Sequence, residues 1–269
     1  MALRATGAQV PLFCVHPGNG QVTGYAALAR RMSGERPVYA FEAPGLEPGE
    51  ELCADVPRLA AHHVAQLLRV RPQGPHLLAG WSSGGVVAFE MARQLEQRGT
   101  AAAVLVQIDT YVNPQARWRG LADENLAAFE AFGLDLGFPP EVLLSTLGQL
   151  AEVGRSERCA VLLAEGRRAG VLPAEWSLAA VERRFAVFAA QIDALRAYAP
   201  TPIATPILFL RAAQCPGPDP AADWHGLTTG GLALLDVPGD HYTLMREPHV
   251  GTLVAVIESA LSPWRRGEG

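Results

Sequence analysis

The sequence predicts an α/β fold: a mostly parallel central sheet with helices on both faces and a helical insertion late in the chain. Three observations carry that prediction. Short uninterrupted apolar runs alternate with segments whose apolar residues recur every three or four positions, the rhythm of strands joined by crossover helices. One strand-helix pair is joined by Gly80-Trp81-Ser82-Ser83-Gly84-Gly85, a turn with little side-chain bulk around its first serine. Between Asp109 and Ile207 helical patterns follow one another with no convincing strand.

Residues 1–9 read as a loose lead-in. Residues 10–15 are continuously apolar, as a strand buried on both faces must be, and His16-Pro17-Gly18-Asn19-Gly20 follows as a turn. Over 23–32, Tyr25, Leu28, Ala29 and Met32 form a helical face; 38–41 is a second strand closed by Ala43-Pro44-Gly45. Residues 55–70 carry a stripe through Leu59, His63, Leu67 and Val70, with Asp55 as the N-cap. The run from Pro75 to the glycine turn is the next strand. Its helix, with Val87, Met91 and Leu95 on one face, ends near Arg98, where Gly99 stops it. Residues 103–108, 207–210 and 232–237 are further strands, and 250–261 is a final amphipathic helix through Leu253, Ile257 and Leu261.

The candidate helices of the insertion are 121–132, 142–153, 157–168 and 178–198. The last alternates steps of three and four through Leu178, Val181, Phe185, Phe188, Ile192 and Leu195. Such a stripe usually means plain core packing. Here the helices follow a strand that ends in an acid, so they are expected to cap a site at the sheet's rim. Pro200, Pro202 and Pro206 then return the chain as a stiff connector. The expected organisation is a single domain over 1–269 with a helical lid over about 112–206.

Composition narrows the function classes. Hydrophobic residues at 49% and charged residues at 18% exclude a disordered chain. A net charge of −5 without acidic or basic blocks gives nucleic acid nothing to grip. All 22 strongly basic residues are arginine, which reads as the coding bias of a GC-rich genome. Cys14, Cys53, Cys159 and Cys215 are far apart and form no C-x-x-C, as expected of free thiols in a reducing compartment. No run is long enough for a signal h-region or a bilayer span, so a soluble cytoplasmic protein without a membrane partner is expected.

Gly80-Trp81-Ser82-Ser83-Gly84 fits G-x-S-x-G, the nucleophile elbow of α/β-hydrolases. The pentapeptide alone is weak, since a Gly/Ser loop can match it; the preceding strand and following helix make it specific. A serine hydroxyl needs a histidine to take its proton and a carboxylate beside the imidazolium that forms. In this fold the order is Ser, acid, His. His241 lies after the last strand and before the final helix, where loops at strand carboxyl ends converge. His62 and His63 lie within a helix, His76 precedes the nucleophile strand, His249 caps the last helix, and His225 is the reserve. Asp109 ends the strand after the elbow, whereas Asp219 or Asp223 would follow the next one; composition does not choose among them. Asp240 is too close to His241 to turn back onto its ring and reads as a turn residue. Backbone N–H groups of Ser83 and Gly18 are the candidate oxyanion donors. His16 reads as shaping the turn that carries Gly18.

These residues resemble the thioesterase domains that end nonribosomal peptide synthetases and some mixed polyketide assembly lines. The resemblance runs along nearly the full length. It is carried by Pro11-Leu12-Phe13-Cys14-Val15-His16-Pro17-Gly18, the elbow with Ala88-Phe89-Glu90-Met91-Ala92, Ile108-Asp109-Thr110, and Pro238-Gly239-Asp240-His241-Tyr242-Thr243-Leu244-Met245 with Glu247-Pro248. It implies Asp109 as the triad acid and a mobile lid. It also implies an acyl or peptidyl substrate arriving on the phosphopantetheine arm of a carrier protein, with no cofactor or metal of the domain's own. Ser82 would form an acyl-enzyme, released by water or by a nucleophile within the chain as an acid, lactone or lactam. Gly18-Asn19-Gly20 departs from the pattern, because many relatives carry bulkier residues there. Rival readings are a free-standing editing thioesterase, a small-molecule esterase or peptidase, and a non-catalytic docking domain. In the last, Arg30-Arg31, Arg167-Arg168 and Arg183-Arg184 would meet an acidic carrier protein.

Overall fold

Parallel strands cannot be joined by tight hairpins, so each apolar run must be followed by a crossover long enough to return to the same edge. The computed structural model, which describes residues 1–112, 124–214 and 219–265, meets that requirement. Its strands are β1 (Ala2–Arg4), β2 (Leu12–Val15), β3 (Val38–Phe41), β4 (His76–Trp81), β5 (Ala102–Ile108), β6 (Ile207–Ala212) and β7 (Leu232–Val237). They form a seven-stranded sheet of order β1-β3-β2-β4-β5-β6-β7, parallel except for the pairing of β1 with β3. β2 and β4, in the middle, are buried along their whole length.

The period of two along the central strands divides the interior. Leu12, Cys14, Leu77 and Ala79 face one side, where they pack with α1 (Ala26–Arg31) and α8 (Val250–Ala260). Phe13, Val15, Leu78 and Leu105 face the other, against α2 (Val56–Val70) and α3 (Ser83–Gln97). Between β5 and β6 lie α4 (Glu124–Leu136), α5 (Pro140–Glu152), α6 (Arg158–Arg168) and α7 (Leu178–Ala197). These pack on one another through a third core containing Phe129, Phe132, Leu143, Leu150 and Leu162.

Local signals act where expected. Asp55 Oδ1 accepts the Arg58 amide at 2.7 Å and caps α2, and Gly99, at φ 72°, ends α3. Three expectations change. The lead-in is not structureless: Ala2–Arg4 forms an antiparallel edge strand on β3, and the Arg4 guanidinium donates to the carbonyls of Ala29 and Met32 at 3.0 and 2.9 Å. Residues 23–25 form a 3₁₀ turn instead of α-helix, with Gly24 lying against the Trp81 ring. α5 begins at Pro140, because proline in the first helical turn loses no hydrogen bond. The expected start of a helix at 121–123 and Cys215 lie outside the described residues; Cys14, Cys53 and Cys159 are free. Among the described residues no helix is long and apolar enough to cross a membrane.

Candidate active site

The turn between β4 and α3 is possible only because its neighbours have no side chains. A Cβ on Gly80 would overlap the Gly84 backbone, and one on Gly84 would overlap the carbonyl oxygens of Val15 and His16. Ser82, at the apex, takes φ 57° and ψ −131°. Among the described residues the only other non-glycine with positive φ is Asp109, at φ 44°. Backbone of this kind costs about 1–3 kcal/mol per residue, and it is retained here at both positions singled out for chemistry. Tyr25 braces the turn from below: its hydroxyl donates to Val15 O at 2.7 Å and accepts the Trp81 amide at 2.8 Å. Burial raises the Tyr25 pKa well above its ordinary 10.0, so the hydroxyl keeps its proton.

Adjacency of β5 and β6 brings the acid to its place. Asp109, completely buried, accepts the Ala212 amide on Oδ1 at 3.0 Å and lies 2.6 Å from His241 Nδ1 through Oδ2. With the Nδ1 proton directed at Asp109, Nε2 offers its lone pair to Ser82 Oγ, 3.0 Å away. Trp81 Nε1 donates to the His241 carbonyl at 3.0 Å, so the residue before the serine also holds the loop that bears the imidazole. The arrangement can move a proton from hydroxyl to ring and hold the resulting cation against a buried carboxylate.

The competing residues are engaged elsewhere. Asp219 pairs with Arg211 at 2.9 Å, and Asp223 is exposed beside the Trp224 turn. Asp240 Oδ1 accepts the amides of Tyr242 and Thr243, both at 2.9 Å, as a turn residue does. His16 Nδ1 lies 2.9 Å from Pro17 O, within the turn that carries Gly18. His63 is buried against the His16 ring and His76 at the first position of β4, His62 contacts Gln66 at 2.9 Å, His225 is exposed and His249 heads α8. Of the arginine pairs, Arg31 grips Glu247, Arg168 pairs with Glu165, and Arg184 lies over the Trp176 ring at 4.0 Å.

Ser82, Ser83, Gly18 and His241 line one side of a cavity of about 310 Å³, and α4 and α7 line the other. Ala127, Ala131, Leu134, Phe188, Ile192 and Leu195 make most of this wall apolar. Inside the helical layer Phe185 stacks on Phe129 and meets Phe132 edge-on, and of the phenylalanines among the described residues only Phe188 lines the cavity. Sequence reasoning missed Glu130 and Asp135, which do line it. Asp135 also ties α4 to the turn after β2, with Oδ2 accepting the Asn19 amide at 3.1 Å and its carbonyl accepting Asn19 Nδ2 at 3.2 Å. No local signal marks these two, since a helix facing a cavity has the same period as one facing a core.

A parallel sheet with one antiparallel edge strand, and a strained serine at the carboxyl end of a central strand, defines the α/β-hydrolase fold. Within that fold, the Thioesterase domain family matches residues 10–261, and the chain belongs to it. It is similar to the atromentin synthetase nps3 of Serpula lacrymans var. lacrymans, with 30% identity over 96% of this chain and 27% of that protein. A four-domain nonribosomal peptide synthetase crystallised in its holo form with AMP and glycine superposes with a TM-score of 0.85 at 27% identity, over 97% of this chain and 20% of that one. The NocB thioesterase domain, in covalent complex with a fluorophosphonate nocardicin G analogue, gives 0.67 at 25% identity over 96% of both chains. The chain thus spans about a quarter of the atromentin synthetase and a fifth of the four-domain synthetase.

Proposed function

We propose that this is a chain-releasing thioesterase acting on an acyl or peptidyl group carried on the phosphopantetheine arm of a carrier protein. The observation that carries the reading is the Ser82–His241–Asp109 chain of contacts, 3.0 and 2.6 Å, at the wall of a cavity large enough for a substrate. His241 Nε2 takes the hydroxyl proton as Ser82 Oγ attacks the thioester carbonyl, and Asp109 stabilises the imidazolium. The oxyanion is met by the backbone N–H groups of Ser83 and Gly18. The tetrahedral adduct collapses, the C–S bond breaks, and the departing sulfur takes the proton from His241. Water, or a nucleophile within the acyl chain, then gives its proton to His241 and attacks the ester; as the bond from the acyl carbon to Ser82 Oγ breaks, Oγ takes that proton back from His241 and the serine is free again. The pantetheine belongs to the substrate, so the domain itself needs no cofactor or metal. In this reading α4 to α7 form a lid on a single domain, and the similarity to multidomain synthetases supports a carrier protein as the partner.

Intact-mass measurement after mixing with an acyl-loaded carrier protein tests this. The wild-type chain should gain the acyl mass, and Ser82→Ala should not, with turnover lower by at least about 10³-fold while carrier binding persists. Acyl loading retained by Ser82→Ala would remove that serine from the mechanism. Carrier binding with no loading of the wild type would leave only a docking domain.

A further inference from the structure

The turn after β2 presents the successive amides of Gly18, Asn19, Gly20 and Gln21, and all but the first have acceptors within the protein. Asn19 donates to Asp135 Oδ2 at 3.1 Å, Gly20 to the Pro17 carbonyl at 2.9 Å and Gln21 to Asn19 Oδ1 at 2.9 Å. Among the described residues nothing accepts the Gly18 amide, and Gly18 lines the cavity beside Ser82. A backbone N–H without a protein acceptor must be served by water or a ligand. What aims this one lies beneath it. In a trans peptide the carbonyl and the N–H of one planar unit point in opposite directions. The Pro17–Gly18 unit is trans, and its carbonyl is drawn inward by His16 Nδ1, 2.9 Å away on a ring with no exposed surface. The N–H of the same unit is thereby turned outward, to the side of the cavity. A carbonyl can only accept, so Nδ1 carries the proton. Nε2 is then a buried lone pair with no partner, and burial keeps the ring neutral by pulling its pKa down to about 4. An apolar side chain would fill this space against His63 without burying such a nitrogen, so packing gives no reason for an imidazole. The bond to Pro17 does.

We infer that His16 is a positioning residue for the reaction: its bond to the Pro17 carbonyl sets the plane of the peptide above it and so aims the Gly18 N–H at the oxyanion formed when Ser82 attacks. The inference rests on the thioesterase reading, in which the amides of Ser83 and Gly18 receive that oxygen. His16 does not line the cavity and acts only through this peptide. The bonds from Asn19 to Asp135 hold the far side of the same turn, so the Gly18 amide is fixed from below and from beside. Its effect belongs to the tetrahedral stage, when the carbonyl oxygen gains charge, more than to binding of the thioester.

Straight-chain acyl N-acetylcysteamine thioesters, with kcat and KM measured separately, test it. His16→Leu, close to histidine in volume but without the donor, should keep a Tm near that of wild type. It should lose about ten-fold or more in kcat, with KM within about three-fold. His16→Asn places an N–H where Nδ1 stands. It should be the less stable of the two, because it leaves a void, yet keep kcat within about three-fold of wild type. Activity and stability then move in opposite directions, as they would not if the ring served packing alone. The pH dependence of kcat/KM, set by His241, should be unchanged in both variants. Equal kcat in wild type and His16→Leu, or a His16→Asn as slow as His16→Leu, sinks the inference and leaves the thioesterase reading standing. Should either variant fail to fold, or the thioesters go unhydrolysed, the structure of the wild-type adduct with a fluorophosphonate decides. Its phosphonyl oxygen should stand within about 3.2 Å of the Gly18 and Ser83 nitrogens, and an oxygen turned away from Gly18 overturns the proposal. A wild type that hydrolyses none of the thioesters and takes no label on Ser82 brings down both readings.

Discussion

Beneath the turn that carries Gly18, the His16 ring packs edge-on against His63, which in turn stacks on Phe41. His16 Nε2 and both ring nitrogens of His63 have no hydrogen-bond partner, so a proton on either ring would put an uncompensated charge in the interior. Burial accordingly pulls the His16 pKa from 6.5 down to about 4 and that of His63 well below 6.5. His76, the first residue of β4, is lowered to about 4 by burial, with the Arg71 charge adding to it. The unfolded chain takes up protons near 6.5, whereas the folded chain resists until about 4. Stability is therefore full above pH 6.5 and declines as pH falls through that window, by on the order of 3 kcal/mol for His16 alone at its lower end. Urea unfolding at a series of pH values should show the decline. His63→Phe, which keeps the stack on Phe41, should flatten part of it. A wild-type profile with no decline between these limits would mean that the rings are not held neutral by burial.

At the scale of the element, the β4-turn-α3 unit is held by contact between backbones. Gly84→Ala would drive a methyl into the carbonyls that end β2, and neither strand nor helix can retreat without opening the sheet. The expected result is a loss of about 1–3 kcal/mol or more, read as a lower Tm, together with slower fluorophosphonate labelling of Ser82 as the elbow is displaced. An unchanged Tm would show the turn to be looser than its geometry. This steric demand is why the elbow was legible in the sequence: no other residue type fits there, so composition and geometry carry the same information. β3 and β7 were likewise readable, since each is an apolar run whose limits are turn residues. β1 was not, because three residues carry no period and their pairing with β3 is set by a partner far along the chain. The choice among Asp109, Asp219 and Asp223 was equally invisible to residue chemistry. Each follows a strand, and only sheet order, with β6 beside β5, puts the Ala212 amide on Asp109 and turns its other oxygen to His241. Glu130 escaped for a related reason: which face of α4 meets a cavity depends on what stands opposite.

The described residues of the molecule build three large interiors of unlike construction, beside a small cluster of Ala43, Leu46 and Val187. The two that flank the sheet join residues from Val10 to Leu261 and from Phe13 to Trp224, so they form or fail with the fold as a unit. The third is confined to residues between Phe129 and Ile192 and closes the helical layer largely on itself. α7 belongs to both bodies. Its middle supplies Phe188 to the helical core, while Ala194 and Leu195 pack with α2 and α3, and Tyr198 just beyond it donates to Glu90 at 2.8 Å. A layer with its own core, joined to the sheet mainly along one helix, can open as a unit without unfolding what lies below. Hydrogen exchange followed by mass spectrometry should then find amides of α4, α5 and α6 exchanging at least about ten-fold faster than those of β4 and β5, with the C-terminal half of α7 in between. Phe185→Ala, which removes the ring stacked on Phe129, should widen the gap by speeding the helical layer while leaving the sheet nearly unchanged. If the helices and the central strands exchange at one common rate, the layer opens only when the molecule unfolds. A substrate would then have to reach Ser82 through a fixed mouth, and α4 to α7 would be walls of the cavity with no part in admitting or retaining the chain.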